Sequence, residues 1–253
     1  VFNVQHISEQ DSVWTWGTPS SKKLSPRIRL LVWNIWKQSG GDVFAKEFDE
    51  RTVKADLVVT QEALIDLESV GFFAMDGFET THAATYRRKD GARDGVLTLS
   101  RAKAIKPPIR VISRTTEPIL KTTKAALISE FEIEGHSSEH LIVVNIHASL
   151  MRRPKTAGQE MHRIIEYIEH HDGPVLVAGD FNTVSHHYMR EVEHALESLG
   201  IYRVTPEAEP RKQFAQLDQV FARGLRALSC YVDTTAKSSD HFPIICEFDV
   251  LND

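Results

Sequence analysis

Apolar and polar positions alternate along this chain in short blocks. Runs rich in Val, Ile, Leu and Phe predict strands over 27–35, 56–61, 95–100, 125–133, 140–148, 174–181, 217–223 and 243–250, with weaker candidates at 103–112 and 226–233. Between them lie three stretches with helical spacing. In 42–55, Val43, Phe44 and Phe48 share a face; in 156–170, Met161, Ile164, Ile165 and Ile168 do, behind Thr156 and Gln159 at capping-box spacing. In 185–199, Met189, Val192, Leu196 and Leu199 line up, with Ser185 placed as N-cap and Gly200 as the residue past the C-cap. Strands 140–148 and 174–181, joined through a helix, form a βαβ-type unit, and the consecutive strands elsewhere read as antiparallel hairpins. Two packed sheets with helices on their outer faces satisfy this pattern. Residues 1–26 differ: they are polar, anchored by Trp14 and Trp16, and close on Ser20, Ser21, Lys22, Lys23 and Pro26. They read as an N-terminal extension, and 27–253 as a single domain.

The chemistry shows where polar residues interrupt the apolar runs. LLVWN ends in Asn34, LVVTQE in Glu62, and LIVVNIH carries Asn145 and His147. VLVAGDFN carries Asp180 and Asn182, QLDQVF carries Asp218, and SSDHFPII carries Asp240 and His241. An unpaired buried charge is costly, so one such residue is a satisfied core group, but a series of them at strand ends marks a site presented by a rigid scaffold. Asp180 and Asn182 are two apart and share a strand face, as do Asn145 and His147. Carboxylates suit a hard divalent cation such as Mg2+, carboxamides can orient water or bond phosphate oxygens, and imidazoles move protons near neutral pH. No activated Ser or Cys, phosphate-binding glycine loop or dinucleotide fingerprint is visible, so the simplest attacking group is water.

Composition narrows the setting. The 253 residues are 42% hydrophobic and 26% charged, an ordinary globular balance, with a net charge of −5. An acidic chain has no global field drawing it onto a polyanion, so a phosphate substrate has to be held locally, by a metal ion or a basic patch. Cys230 and Cys246 have neither CxxC nor zinc-ligand spacing and read as two small buried hydrophobes. No apolar run reaches the length of a membrane span. With no export signal or disulfide framework in view, a cytoplasmic monomer is expected, although the chain starts at Val1 and an upstream signal or anchor stays open.

Taken in order, the WNI run with Asn34, the QE pair with Glu62, NIHA with His147, GDFN with Asp180 and Asn182, LDQVF with Asp218 and SDHFP with Asp240 and His241 resemble the endonuclease/exonuclease/phosphatase (deoxyribonuclease I-like) family across about 28–250. Within it, LVWNI, EPIL, VNIHA and SDH are most similar to bacterial YafD-like proteins. The resemblance implies an α+β fold, a four-layer α/β/β/α sandwich of two mixed sheets covered by helices. It also implies metal-dependent phosphodiester or phosphomonoester hydrolysis with Mg2+, or alternatively Mn2+. On it, Glu62 is the main metal ligand, Asn34 lies beside it, and Asp240 supports the metal or His241. Asp180 orients or deprotonates water, Asn182 holds phosphate or water, Asp218 fixes the His241 tautomer, His241 acts as base or phosphate donor, and His147 contacts phosphate or protonates the leaving oxygen. Lys124, Arg152 and Arg153 are candidates for substrate phosphate; the other basic clusters, Arg87–Lys89 and Arg211–Lys212, read as solvated loops. Nucleic acid is one candidate substrate. The competing readings are a lipid or inositol-phosphate phosphatase and a non-catalytic binding module on the same fold. His170–His171 and His186–His187 read as helix-surface residues, and Trp36 as a rim residue.

Overall fold

A computed structural model describes residue 5, residues 7–113, residue 116 and residues 122–149, 154–212 and 216–251, with backbone alone at 137–139 and 154–160. The strands in chain order are β1 (Val13–Gly17), β2 (Arg27–Asn34), β3 (Leu57–Ile65), β4 (Glu79–Arg87), β5 (Arg93–Ser100), β6 (Ile109–Ile112) and β7 (Ala125–Ile133). Then come β8 (His136–His147), β9 (Val175–Asp180), β10 (Tyr202–Arg203), β11 (Asp218–Arg223), β12 (Leu225–Val232) and β13 (Ile244–Val250). The helices are α1 (Asp42–Thr52), the single-turn α2 (Ser69–Phe72), α3 (Pro154–Ile168) and α4 (His186–Glu197).

A seven-stranded sheet runs β1-β4-β5-β3-β2-β13-β12, and a six-stranded sheet runs β10-β11-β9-β8-β7-β6. Both are mixed. β2 and β3 are parallel, joined through α1, and β8 and β9 are parallel, joined through α3, which is the βαβ unit expected from the pattern. The other pairings within the two sheets are antiparallel.

Three apolar clusters separate four layers. The inner faces of both sheets close over one core that includes Leu30, Val32, Leu57, Val59, Leu141, Val143, Leu176 and Phe248. The outer face of the six-stranded sheet packs Val144, Val177 and Phe221 on Met161, Ile164 and Ile168 of α3 and on Met189, Val192 and Leu196 of α4. Leu31, Trp33 and Val58 pack on Phe44 and Phe48 of α1 across the outer face of the other sheet. The central strands are therefore buried on both faces, as their unbroken apolar runs require.

β1 and β4 are absent from the sequence expectation. β4 reads ETTHAATYR, yet Thr80, Thr81 and His82 are buried. Each is satisfied: Thr80 Oγ1 donates to Phe73 O at 2.8 Å, Thr81 Oγ1 lies 3.0 Å from Thr15 Oγ1, and His82 Nε2 lies 3.2 Å from Ala63 O. In the N-terminal stretch, β1 extends the sheet edge, Trp14 lies under the Arg93 guanidinium at 3.4 Å, and Leu24 enters the inter-sheet core.

The expectation for the two cysteines is overturned. Cys230 and Cys246 are buried, but they form a disulfide, because the register of β12 against β13 sets them opposite each other. A separation of 16 residues carries no trace of that register. The cross-link also removes one ground for the cytoplasmic expectation. Among the described residues, no helix is long and apolar enough to cross a membrane.

Candidate active site

Chain direction brings the strand-end residues to one edge of the sandwich. Asn34 closes β2, His147 closes β8 and Asp180 closes β9; Asp218 opens β11, which runs antiparallel to β9 and pairs Asp218 with Asp180. The 239–241 loop docks on the other sheet: Ser239 Oγ donates to Asn34 O at 2.7 Å, and the fully buried Trp33 donates Nε1 to His241 O at 3.0 Å. The two sheets then meet through side chains. Asn34 Nδ2 donates to Asp180 Oδ2 at 3.0 Å, and His241 Nδ1 lies 2.7 Å from Asp218 Oδ2. Beneath them the buried Asn145 accepts Gln61 Nε2 at 2.8 Å and donates Nδ2 to Leu97 O at 2.9 Å and Thr60 O at 3.1 Å.

Backbone strain gathers at this edge. The non-glycine residues with positive φ among those described are Trp36 (43°), Lys37 (54°), Gln38 (54°), Glu62 (54°) and Asn182 (50°). Such conformations persist where surrounding contacts over-determine them, and they cluster at functional sites. β3 shifts register between Thr60 and Ala63, and this irregularity turns Glu62 out of the ladder. Asn182 is held by its own N–H, which donates to Asp180 Oδ1 at 2.9 Å, and by Nδ2, which donates to Ala148 O at 2.7 Å.

Opposing charges set the protonation states. Burial, and then the Asp218 carboxylate facing it, push the Asp180 carboxyl up to about 6. Burial works against a charged His241, but the charge and hydrogen bond of Asp218, with Asp180 and Asp240, outweigh it and raise the imidazole to about 10. Burial, then Lys124, Lys37 and His241, hold His147 well below the usual imidazole range. His147 Nε2 lies 3.6 Å from Asp180 Oδ2, and with the ring neutral this is no ion pair. Burial would raise Glu62, but the ammonium groups of Lys37, which contacts Oε2, and Lys124, 4.0 Å from Oε1, leave it below the usual carboxylate range.

Asn34, His147, Asp180, Asn182, Asp218 and His241 are joined by these contacts. Among the described residues, the ligand atoms of Asp180, Asp218 and His241 lie within 4.8 Å of one another, a buried acid–imidazole cluster of a size that could hold a divalent ion. Glu62 and Asp240 stand outside that cluster: Glu62 is engaged by the two lysines, and Asp240 Oδ1 accepts Ser239 Oγ at 3.4 Å. Lys124 is buried beside Glu62. Arg152 and Arg153 lie outside the described residues. Arg211 is no solvated loop residue but is buried: Nη1 donates to Asp218 O at 3.1 Å, and Glu209 takes Nε at 2.8 Å and Nη2 at 2.6 Å.

Sequence reasoning missed Lys37, Asp94 and Tyr86. Lys37 contacts Glu62 and lies 3.5 Å from Asp94 Oδ2, and Tyr86 donates to the same oxygen at 3.2 Å. Asp94 is the second residue of β5, which is antiparallel to β3, so its start lies at the edge where β3 presents Glu62. The signal was the charged Arg93–Asp94 pair at the head of an apolar run, read from its other end.

The donor set is chemically suited to a hard cation. Asp218 Oδ1 is buried with no hydrogen-bond partner, and Asn34 Oδ1 accepts only Trp36 N at 3.1 Å among the bonds seen, which leaves a lone pair free.

Comparison with known proteins agrees with this architecture. The family model described as Endonuclease/Exonuclease/phosphatase family matches residues 31–241. A UPF0294 protein of Vibrio vulnificus is 31% identical over 241 residues, which covers 94% of this chain and 82% of that protein. The crystal structure of an endonuclease/exonuclease/phosphatase from Beutenbergia cavernae aligns with a TM-score of 0.65 at 17% identity, over 89% of this chain and 72% of that one. The human Nocturnin catalytic domain aligns with a TM-score of 0.62 at 18% identity, over 89% and 95%. The chain belongs to the Endonuclease/Exonuclease/phosphatase family.

Proposed function

We propose that the chain is a divalent-cation-dependent phosphoesterase that hydrolyses a phosphodiester or phosphomonoester by attack of water, in the YafD-like branch of its family, with 27–253 as the catalytic unit. The observation that carries this reading is the Asp180–Asp218–His241 cluster, closed by Asn34 from the opposite sheet. Asn34, Glu62 and Asp240 would hold Mg2+ or Mn2+, and the bound ion supplies positive charge against the negative charge that develops on the phosphate.

The protein groups divide the remaining work. Asp180, raised to about 6, is poised near working pH to take a proton from water. Asn34 and the Asn182 N–H fix one carboxylate oxygen each, so the base is oriented. His241 stays protonated, with Nδ1 spent on Asp218, and Nε2–H donates to a phosphate oxygen. His147 is neutral and held low, so it serves as a hydrogen-bond donor to phosphate or the leaving oxygen, not as a ready proton source. Asn182 and Lys124 add phosphate contacts.

The test is turnover of plasmid DNA, single-stranded DNA, RNA, bis-p-nitrophenyl phosphate, p-nitrophenyl phosphate and an inositol phosphate, each with Mg2+, Mn2+ or EDTA. Glu62→Ala and His241→Ala should each lower metal-dependent turnover by roughly a hundredfold or more while the circular dichroism spectrum is kept. Wild-type rates in both variants would sink the assignment.

A further inference from the structure

The left-handed run Trp36–Lys37–Gln38 is disfavoured for L residues, so something has to hold it. The Gln38 carboxamide does so. Nε2 donates to Leu64 O at 3.3 Å, and Oε1 accepts Leu64 N at 3.2 Å. These two bonds clip the turn to β3 two residues beyond Glu62, and Asn34 Oδ1 holds its other end through Trp36 N at 3.1 Å. Lys37 sits between two fixed ends, and its ammonium touches Glu62 and lies 3.5 Å from Asp94. Asp94 is buried and is itself held by the 3.2 Å bond from Tyr86 OH.

Two carboxylates for one lysine exceed what neutralising Glu62 requires. If Glu62 turns to a divalent ion, the ammonium and the ion repel, and Asp94 is the group that keeps Lys37 at the site. An ammonium has three donors, and one anchor leaves two of them to spend. Lys37 and Lys124 converge on Glu62, the first at Oε2 and the second 4.0 Å from Oε1. Such convergence of cations, on a strained turn that is pinned at both ends, suits an anion brought by the substrate.

We propose that Lys37 is a substrate-binding residue that donates to a non-bridging oxygen of the substrate's phosphate, with Asp94 and Tyr86 as its positioning residues. The assignment rests on the hydrolytic reading above. A purely structural role, propping Glu62 for the ion, makes the opposite prediction for ion affinity, and this separates the two.

The experiment measures inorganic phosphate binding by calorimetry at saturating Mg2+, and Mn2+ binding by electron paramagnetic resonance, on the wild type, Lys37→Met, Lys37→Arg and Asp94→Asn. Lys37→Met should weaken phosphate binding about tenfold or more, as loss of one charge-assisted contact does, while Mn2+ binding stays within about twofold or tightens. Lys37→Arg should recover most of the phosphate affinity, and its fate decides the matter should the Met variant not fold. Asp94→Asn should weaken phosphate and spare Mn2+; unchanged phosphate affinity there removes Asp94 from the assignment. Equal phosphate binding by the wild type and Lys37→Met, no phosphate binding by the wild type, or parallel loss of phosphate and Mn2+ would each overturn the proposal. Turnover is scored separately: an inactive wild type whose phosphate binding still depends on Lys37 fails the hydrolytic reading and keeps the phosphate contact.

Discussion

At the scale of single residues, Asp180 and His241 make opposite demands on pH. The folded state raises Asp180 to about 6, against an ordinary value of about 4, so it holds that proton more tightly than the unfolded chain does. Ionising Asp180 therefore costs stability, which is lost as pH rises from about 4 through about 6. His241 is raised to about 10 from an ordinary value of about 6.5. Its contribution is complete below about 6.5 and disappears as pH climbs through about 10. Denaturant midpoints of the ion-free chain, measured in EDTA from pH 4 to 10, should show both losses. Asp180→Asn should flatten the acid-side loss relative to wild type and leave the alkaline one; Asp218→Asn should shrink the alkaline one. If Asp180→Asn leaves the acid side unchanged, the carboxyl is not the strained group. These residues were legible because each is a polar break at the end of an apolar run. Their pairing was not, since the Asn34–Asp180 contact spans 146 positions and depends on how two sheets face each other. Arg211 was misread for the same reason: in sequence it sits in a polar loop, and only the fold seats it against Asp218.

At the scale of elements, the apolar period located the strands that are buried on both faces and the helices with one apolar stripe. It failed at β4, where threonines and a histidine do the work of apolar side chains by bonding Phe73 O, Thr15 and Ala63 O. It also failed at β1, a short edge strand with one half-buried face. The GDFN turn carries a constraint that the period does not reveal. Gly179 has φ +140°, and a Cβ there would lie 2.0 Å from Ile146 O and 2.9 Å from Gln61 Nε2. The close approach of β8, β9 and the Gln61 amide needs that position bare. Gly179→Ala should cost roughly 2–4 kcal/mol, because neither a backbone carbonyl nor a buried amide yields cheaply. Gly135 is the control: its φ is +81°, but nothing lies within 4 Å of its Cβ position. Gly135→Ala should cost only about 1 kcal/mol, the left-handed penalty alone. Urea melts of the two variants compare strain with strain plus collision, and equal losses would remove the collision.

At the scale of the whole molecule, the site is a seam. Asn34 and Glu62 come from the seven-stranded sheet; His147, Asp180 and Asp218 come from the six-stranded one. The four layers could be read from sequence, because two-faced strands and amphipathic helices permit few other packings. The seam could not, because its registry is set by the inter-sheet core and by Asn145 beneath the site. Asn145 reaches from β8 to Thr60, Gln61, Leu97 and Thr98 on the facing sheet, with every partner buried. An ion held beside this seam by Asn34, Glu62 and Asp240, as proposed above, binds the folded site and not the unfolded chain, so it should stabilise the fold by linkage. At about 100 times its Kd the gain is ~2.7 kcal/mol, a rise of roughly 5–10 °C for a chain of this size. Asn145→Ala touches no candidate ligand, yet it leaves the Gln61 amide unpaired and loosens the sheets. It should lower Tm without ion, by roughly 2–4 kcal/mol of stability, and should also weaken Mn2+ binding. Glu62→Ala, which removes a proposed ligand and leaves the Asn145 link in place, should abolish the Mn2+ shift. Scanning calorimetry with and without Mn2+ separates the two. If Asn145→Ala lowered Tm but kept full ion affinity, the seam would be stiff enough without its buried link, and the ligands would be aligned by their own strands.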